Sequence, residues 1–514
     1  MIILYHKNNR VTEAWNDSDS KALPIKSVSI PKALFEIAST FPDSLVLWCH
    51  ESQREHLNKE HLSEVFHHKK IMASYALSSG KYLPESIGYA DESLFANPNF
   101  NSTIASWRMS SMVGGLYSSV LLCLEKNMVP DRDFDYFLHS LAKLAMPLGL
   151  LCYSEPRLLA NGSAAFEIAP TGKANVFRFV SQHYRLRWVF LLRLNFAVHE
   201  KKLPLFSFLK SFFYQKRRLP NTIFDQIPVQ SSKEIMESAT FDVVIPTIGR
   251  EKYLYDFLRD LSEQTLLPQR VIIVEQNPEA ESQSGLAYLQ SESWPFLVLH
   301  TFTHQAGACN ARNLALAQVE SEWVFLADDD IRISNDFLEQ AAVEIRQYGN
   351  SVYTLQCLQA GEKAVFDKVF QWKTFGSGCS IVKRSALEGL QFDMRFEFGF
   401  GEDADFGMQL RKRGHDILYL PHPQIMHLKA PIGGFRTKPK LAWKDDKLLP
   451  KPSPTVMLYK LLHETSWQLN GYKTVSFFKF YKYQPIRNPF AYFKNFKARW
   501  AASLHWANKL RDKK

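Results

Sequence analysis

From Phe241 onward, short apolar runs alternate with amphipathic stretches. That alternation restricts this part of the chain to an α/β domain with a largely parallel sheet. Phe241-Asp242-Val243-Val244-Ile245 is a buried-strand pattern ended by Pro246. The next stretch places Leu254, Phe257, Leu258 and Leu261 at helical spacing before Pro268 stops it. Residues 270–275 read as a second strand, 296–302 as a third, 310–319 as a helix, and 323–326 as a fourth strand that runs into three aspartates. Sheets of this kind bind ligands beyond the carboxyl ends of their strands. The aspartates therefore stand where a ligand is expected.

At 514 residues the chain has room for two or three domains, each with an adequate core. A hydrophobic share of 46% with 22% charged residues excludes wholesale disorder and a membrane-embedded body. The most apolar window, 188–198, is broken by Arg193 and is shorter than the roughly 20 residues a bilayer span takes. Met1-Ile2-Ile3-Leu4-Tyr5 reads as a first strand and not as a signal peptide, so no export is expected. Cys49, Cys123, Cys152, Cys309, Cys357 and Cys379 are scattered with no C-x-x-C pair, which fits a reducing cytoplasm. The net charge of +10 is uneven, because residues 429–514 hold 19 Lys and Arg against 4 Asp and Glu.

Between 219 and 239 the periodicity lapses and polar residues collect, which marks a linker. The expected domains are 1–218, 240–430 and a basic, aromatic, helical region 431–514. The first is a weak echo of the second. Leu45-Val46-Leu47-Trp48-Cys49-His50-Glu51 resembles Trp323-Val324-Phe325-Leu326-Ala327-Asp328-Asp329, and Asp133-Phe134-Asp135 resembles Asp403-Ala404-Asp405. Because Cys49-His50-Glu51-Ser52 replaces the aspartates, and less chain precedes that point, the first domain is expected to be catalytically silent. Its Gly114-Gly115 pair and Trp107-Arg108 stretch read as structural or as a partner surface, and Asp133 and Asp135 as helix caps.

Ala327-Asp328-Asp329-Asp330-Ile331 ends an apolar strand, so its carboxylates enter the ligand crevice together. Alternate aspartates there can share one Mg²⁺ or Mn²⁺ held jointly with substrate phosphates. One Asp could instead cap the helix that Ser334-Asn335-Asp336 begins, although three exceed what a cap needs. Gly401-Glu402-Asp403-Ala404-Asp405 places a second acidic group at a helix start, where the dipole stabilises negative charge. Glu402 or Asp403 could serve there as a general base, or simply as a cap.

These blocks together resemble the inverting family 2 glycosyltransferases of the GT-A fold, over roughly 241–428, with a galactosyltransferase-type portion near 378–420. The resemblance rests on Pro246-Thr247 and Arg250, the acid Glu275, Gly307-Ala308-Cys309-Asn310-Ala311-Arg312-Asn313, the aspartates, Gly376-Ser377-Gly378, Gly401-Glu402-Asp403 and His427. It implies a Rossmann-like GT-A catalytic domain, preceded by a degenerate GT-A-like domain and followed by a helical basic tail. By the same resemblance Pro246, Thr247, Arg250, Glu275, Arg312, Asp328, Asp329 and Gly378 line the nucleotide-sugar pocket, with Glu275 where the family usually has Asp. Asp328, Asp330 and His427 would hold Mn²⁺ or Mg²⁺. Asp403, beside Glu402, would be the base of a single displacement at the anomeric carbon. Trp372 is a candidate for stacking on a sugar.

The implied partners are a nucleotide-sugar donor, most simply a UDP-sugar, and a glycan or lipid-linked acceptor of surface polysaccharide or lipopolysaccharide. Aromatics interleaved with lysines, as in Phe477-Phe478-Lys479-Phe480-Tyr481-Lys482, could settle on an anionic membrane from the cytoplasmic side or pack on the protein. No nucleic-acid module accompanies the basic charge, so nucleic acid is not an expected partner. The competing readings are a non-catalytic nucleotide-sugar-binding scaffold and a nucleotidyltransferase. Retention of Asp328, Asp330 and Asp403 together disfavours the first, and the single glycine of Pro246-Thr247-Ile248-Gly249-Arg250 disfavours the second.

Overall fold

The computed structural model describes residues 1–77, 81–97, 101–160, 168, 170–431 and 441–513. They form two compact units: Met1–Lys233 with Lys412–Gly414 and Glu464–Gln484, and Glu234–Arg411 with His415–His463 and Pro485–Lys514. The segment 219–239 is thus divided between the units, and the C-terminal region contributes to both.

In the first unit β1 (Ile2–Lys7), β2 (Arg10–Asn16), β3 (Lys21–Ala22), β4 (Leu45–His50), β5 (Ile71–Tyr75), β6 (Ile104–Ala105), β7 (Val113–Tyr117) and β8 (Leu151–Ser154) make one sheet. Their order is β3-β2-β1-β4-β7-β5-β8-β6. The central strands are continuous apolar runs, and Leu4, Val46, Leu47 and Met72 are fully enclosed, as a sheet covered on both faces requires. Helices Ile30–Thr40, Phe134–Ala145 and Lys173–His183 supply Leu34, Phe137 and Phe177 to the core. Helix Ser466–Tyr481 belongs to this unit too. Its buried Gln468 donates to the carbonyls of Asp91 and Ser93 at 3.1 and 3.0 Å, so its amide is satisfied by backbone of the same unit.

In the second unit β9 (Phe241–Thr247), β10 (Arg270–Gln276), β11 (Leu297–Thr303), β12 (Trp323–Ala327), β13 (Ile331–Arg332), β14 (Val352–Gln359), β16 (Cys379–Lys383) and β17 (Leu418–His427) run in the order β11-β10-β9-β12-β16-β14-β17-β13, with β15 (Phe370–Gln371) paired to β17. The first four are mutually parallel and β16 is antiparallel to both its neighbours. This is a mixed α/β sheet, as the resemblance to the GT-A fold implies.

The series β1-β4-β7-β5-β8-β6 follows the same spatial order, with the same parallel and antiparallel senses, as β9-β12-β16-β14-β17-β15. The two sheets part company beyond β1. There an antiparallel hairpin, β2 and β3, stands where the second unit continues into parallel β10 and β11. The short stretch ahead of Leu45 therefore builds a hairpin and no second pair of parallel strands.

Register fixes the correspondence between the units. Cys49 pairs with Val113 and Ala327 pairs with Cys379, so His50 stands in the place of Asp328. Ser111, two residues before β7, donates to Asp135, and Ser377, two residues before β16, donates to Asp403. Asp135 thus matches Asp403, a correction of two residues to the overlay that paired Asp133 with it. Asp133 caps its helix, accepting from the Tyr136 amide at 3.2 Å.

Gly114 and Gly115 owe their smallness to packing. A Cβ on Gly114 would lie 2.3 Å from the Trp48 ring and 2.6 Å from the Ala73 carbonyl oxygen. Gly114→Ala is expected to destabilise the first unit by about 1–3 kcal/mol through overpacking, measured by chemical denaturation followed through tryptophan fluorescence.

Candidate active site

Because β9 and β12 run parallel with Leu326 beside Val244, their carboxyl ends finish next to each other. One end supplies Thr247, and Arg250 just beyond it; the other supplies Asp328, Asp329 and Asp330. The strand of β16 is preceded by Ser377 and Gly378, β17 ends at His427, and helix Glu402–Lys412 begins with Glu402 and Asp403. All of these residues line one cleft of about 460 Å³.

The middle aspartate has a positioning role. Asp329 is 2% exposed, and accepts 2.6 Å bonds from the Thr247 hydroxyl on one oxygen and from Arg250 Nη1 on the other. Burial still drives its pKa up to about 6, with Arg250 and Thr247 pulling the other way. Through Asp329 the end of β9 is tied to the end of β12, and Arg250 is held over the acidic cluster.

Asp328, Asp330 and His427 each offer a ligand atom, and those atoms all lie within 4.8 Å of one another. Asp330 accepts from the Ala430 amide at 2.8 Å through Oδ2. Its Oδ1 is buried without a well-formed hydrogen bond, 3.3 Å from His427 Nε2 and 3.2 Å from Arg250 Nη1. Burial raises the Asp330 pKa, but His427, the Ala430 amide and Arg250 outweigh it and leave the carboxyl below its ordinary value. His427 is raised in turn, first by its bond to Asp330. Two carboxylates and an imidazole around an under-satisfied oxygen fit Mn²⁺ or Mg²⁺. Asp328 is further positioned by Arg312, 3.3 Å away, and by its amide bond of 3.2 Å to the Gly378 carbonyl. A Cβ at Gly378 would fall 2.2 Å from the Asp328 carboxyl, so only glycine leaves that carboxylate its place.

Asp403 is the second residue of its helix and accepts a short hydrogen bond from the Ser377 hydroxyl. Burial raises its pKa, opposed by Arg312 and Ser377. Glu402 is pushed up to about 7, by burial first and then by Asp403. A buried carboxylate with a raised pKa, fixed by a neighbouring hydroxyl, has what a general base would need.

Glu275 does not line the cleft. Its carboxylate accepts from Ser284 Oγ at 2.6 Å and the Gly285 amide at 2.9 Å, and lies 3.0 Å from His300 Nε2, which fastens the loop after β10. Trp372 does not line it either, and packs 5.0 Å from the Tyr419 ring in an aromatic cluster with Phe366 and Phe370.

Gln276, Glu397 and Lys429 are among the lining residues that escaped the sequence reading. Glu397 accepts from the Cys309 and Asn310 amides at 3.1 and 2.8 Å and so caps helix Ala308–Leu316 from 88 residues away. Gln276 accepts from the Gly307 amide at 2.6 Å. The only local signal was Gly307 itself: a Cβ there would sit 2.4 Å from the Glu397 carboxyl.

Comparison with known sequences decides the family. Residues 242–398 match the sequence model of glycosyl transferase family 2. They form a family 2 glycosyltransferase domain. Over 132 residues the chain is 24% identical to poly(ribitol-phosphate) beta-N-acetylglucosaminyltransferase TarS of Staphylococcus aureus strain Mu50, and equally to that of strain MW2. That stretch is 26% of this chain and 23% of the relative, so the chain spans about a quarter of the length of the curated relatives it matches. Among solved structures, S. aureus TarS 1–349 in complex with UDP-GlcNAc aligns at 18% identity and a TM-score of 0.34, covering 46% of this chain and 70% of that one. TarS 1–349 alone aligns at 21% identity and a TM-score of 0.31, covering 37% and 60%.

The family 2 domain carries two expectations. Manganese binding followed by electron paramagnetic resonance should vanish in the Asp328→Ala, Asp330→Ala double variant and weaken by about tenfold or more in His427→Ala. For Glu402, a folded-state pKa near 7 against an ordinary 4.5 means that the native state holds the proton more tightly. Its contribution to stability is whole below about pH 4.5 and is lost as pH rises through 7. Glu402→Gln should therefore be more stable than wild type by roughly 1–3 kcal/mol at pH 8 and little different at pH 4.5, measured by urea denaturation at both pH values.

Proposed function

We propose that this chain is an inverting glycosyltransferase that moves a sugar from a nucleoside-diphosphate sugar to a hydroxyl of a glycan or lipid-linked acceptor. The observation that carries the reading is the meeting of Asp328, Asp330 and His427 with Asp403 in one cleft. Asp403 accepts the acceptor's proton while the acceptor oxygen bonds to the anomeric carbon. The bond from that carbon to the diphosphate oxygen breaks with its electron pair, and a single displacement inverts configuration. Ser377 keeps the Asp403 carboxylate aimed, and Arg250 and Arg312 place positive charge beside the departing diphosphate. A divalent cation held by Asp328, Asp330 and His427 would supply further positive charge to the leaving group.

Thr247 and Pro246 at the end of β9 form the nucleotide side of the cleft, with Glu275 setting the loop behind it. The TarS relatives are named as N-acetylglucosaminyltransferases, and one solved form holds UDP-GlcNAc. The relatives' name supports a sugar-nucleotide donor and, as poly(ribitol-phosphate) is one, a hydroxyl-bearing polymer for the acceptor class. Among the described residues no helix is long and apolar enough to cross a membrane. In helix Pro489–Arg511 the rings of Tyr492, Phe496 and Trp500 are buried, while Phe490 and Phe493 are 85% and 58% exposed beside Lys494 and Lys497. The outward rings support a peripheral contact with anionic lipid from the cytoplasmic side, where a lipid-linked acceptor would be within reach.

Asp403→Asn should lower transfer by about 10²–10⁴-fold while leaving UDP-sugar and manganese binding near wild type, read by product formation beside calorimetric titration. Transfer near the wild-type rate would remove Asp403 from the role of base.

A further inference from the structure

Helices Arg187–Glu200 and Leu205–Ser211 of the first unit lie outside the family 2 domain and take no part in the cleft. A surface helix ordinarily turns one apolar stripe inward and charge outward. The first of these helices does bury Val189, Leu192 and Phe196, yet its outer side carries Phe190 and Val198, each about half exposed. The second buries Phe208 and presents Leu205, Phe206 and Leu209 at 50%, 77% and 59% exposure, followed by Phe213 at 86%. Positions 206 and 209 share one face of the helix, and Phe213 stands in the turn that follows it.

The patch has a firm base. Phe208 packs 5.4 Å from Phe190 and 5.0 Å from Phe212, and Phe190 lies 5.7 Å from Phe212, so both helices share one aromatic cluster beneath the exposed rings. Contiguous exposed apolar surface of this kind marks a contact surface. Its rim is cationic: between 185 and 218 the chain holds nine Arg and Lys against the single acid Glu200. Lys201, Lys202, Lys210, Lys216 and Arg218 are all exposed, and Glu200 already lies 3.5 Å from Lys202.

We propose that this face docks on an anionic lipid bilayer, with Phe206, Leu209 and Phe213 entering the interface and the surrounding lysines and arginines meeting the headgroups. Charge selects lipid over a second copy of the chain, because two such faces would set the exposed Lys201, Lys202, Lys210, Lys216 and Arg218 of each against those of the other. A bilayer offers hydrocarbon for the rings and negative charge for the rim in one surface. This contact is separate from the one proposed for Phe490 and Phe493, and independent of whether the cleft transfers sugar.

The test is flotation of the full chain with vesicles of equimolar phosphatidylcholine and phosphatidylglycerol, beside vesicles of phosphatidylcholine alone, with folding checked by circular dichroism. Wild type should float with the anionic vesicles and not with the neutral ones. Phe206→Ser with Phe213→Ser should lower the partition coefficient by about tenfold or more, and Lys201→Glu, Lys202→Glu, Lys210→Glu should remove the preference for phosphatidylglycerol. Asp403→Asn should float as wild type does. Unchanged flotation of the Phe206 and Phe213 variant, or a loss confined to Phe490→Ser with Phe493→Ser, would overturn the proposal. Absence of wild-type binding, or a dimer in sedimentation velocity that the Phe206 and Phe213 substitutions dissociate, would overturn it as well.

Discussion

Neutralising a concentrated set of carboxylates is the constraint on which the second unit depends. Asp328, Asp329 and Asp330 leave one strand end together, and Asp403 faces the same cleft from a helix start. Ionised carboxylates brought together out of water are costly unless paired. Arg250, held at 2.6 Å by Asp329, and Arg312, 3.3 Å from Asp328, carry part of that compensation, and His427 beside Asp330 carries more. The residual strain is visible in Glu402 and Asp329, whose pKa values burial drives to about 7 and about 6. Under the proposed function, such a cleft would take a cation together with the diphosphate of a sugar nucleotide.

The first unit shows what the same strand frame becomes without that charge. It keeps the Ser111 to Asp135 bond in the position of Ser377 and Asp403, but His50 stands for Asp328, and Phe134 precedes Asp135 where Glu402 precedes Asp403. Asp135 is enclosed, with its pKa raised to about 6 by burial. The Ser–Asp pair thus serves the frame as a fastening between a strand start and a helix start, and in the second unit it lines the same cleft as Asp328, Asp330 and His427.

Much of this was legible in the sequence because the second unit is built from local signals. The apolar runs before Pro246 and Asp328 announce their own strands, and the clustered acids announce the cleft. Gly378 was legible as a glycine but not as the neighbour of the Asp328 carboxylate, since that contact joins residues 50 positions apart across β12 and β16. Glu397 gave no signal for the same reason: an acid in Phe396-Glu397-Phe398 reads as an ordinary loop residue until folding brings it to the start of a distant helix. Glu275 illustrates the opposite case, a polar residue at the right place in the motif order whose carboxylate turns to its own loop. The two-residue offset at Asp135 arose because the resemblance of Asp133-Phe134-Asp135 to Asp403-Ala404-Asp405 follows residue identity, whereas strand pairing follows register.

Whether the cleft binds a nucleoside diphosphate together with a divalent cation is decided by a thermal-shift panel. UDP, GDP, dTDP and CDP would each be added with and without Mn²⁺ to wild type and to the Asp328→Ala, Asp330→Ala variant. UDP should raise Tm only with Mn²⁺ present and not in the variant, since a ligand of the native state stabilises it. No shift with any nucleotide, or an equal shift in the variant, would contradict binding at this cleft.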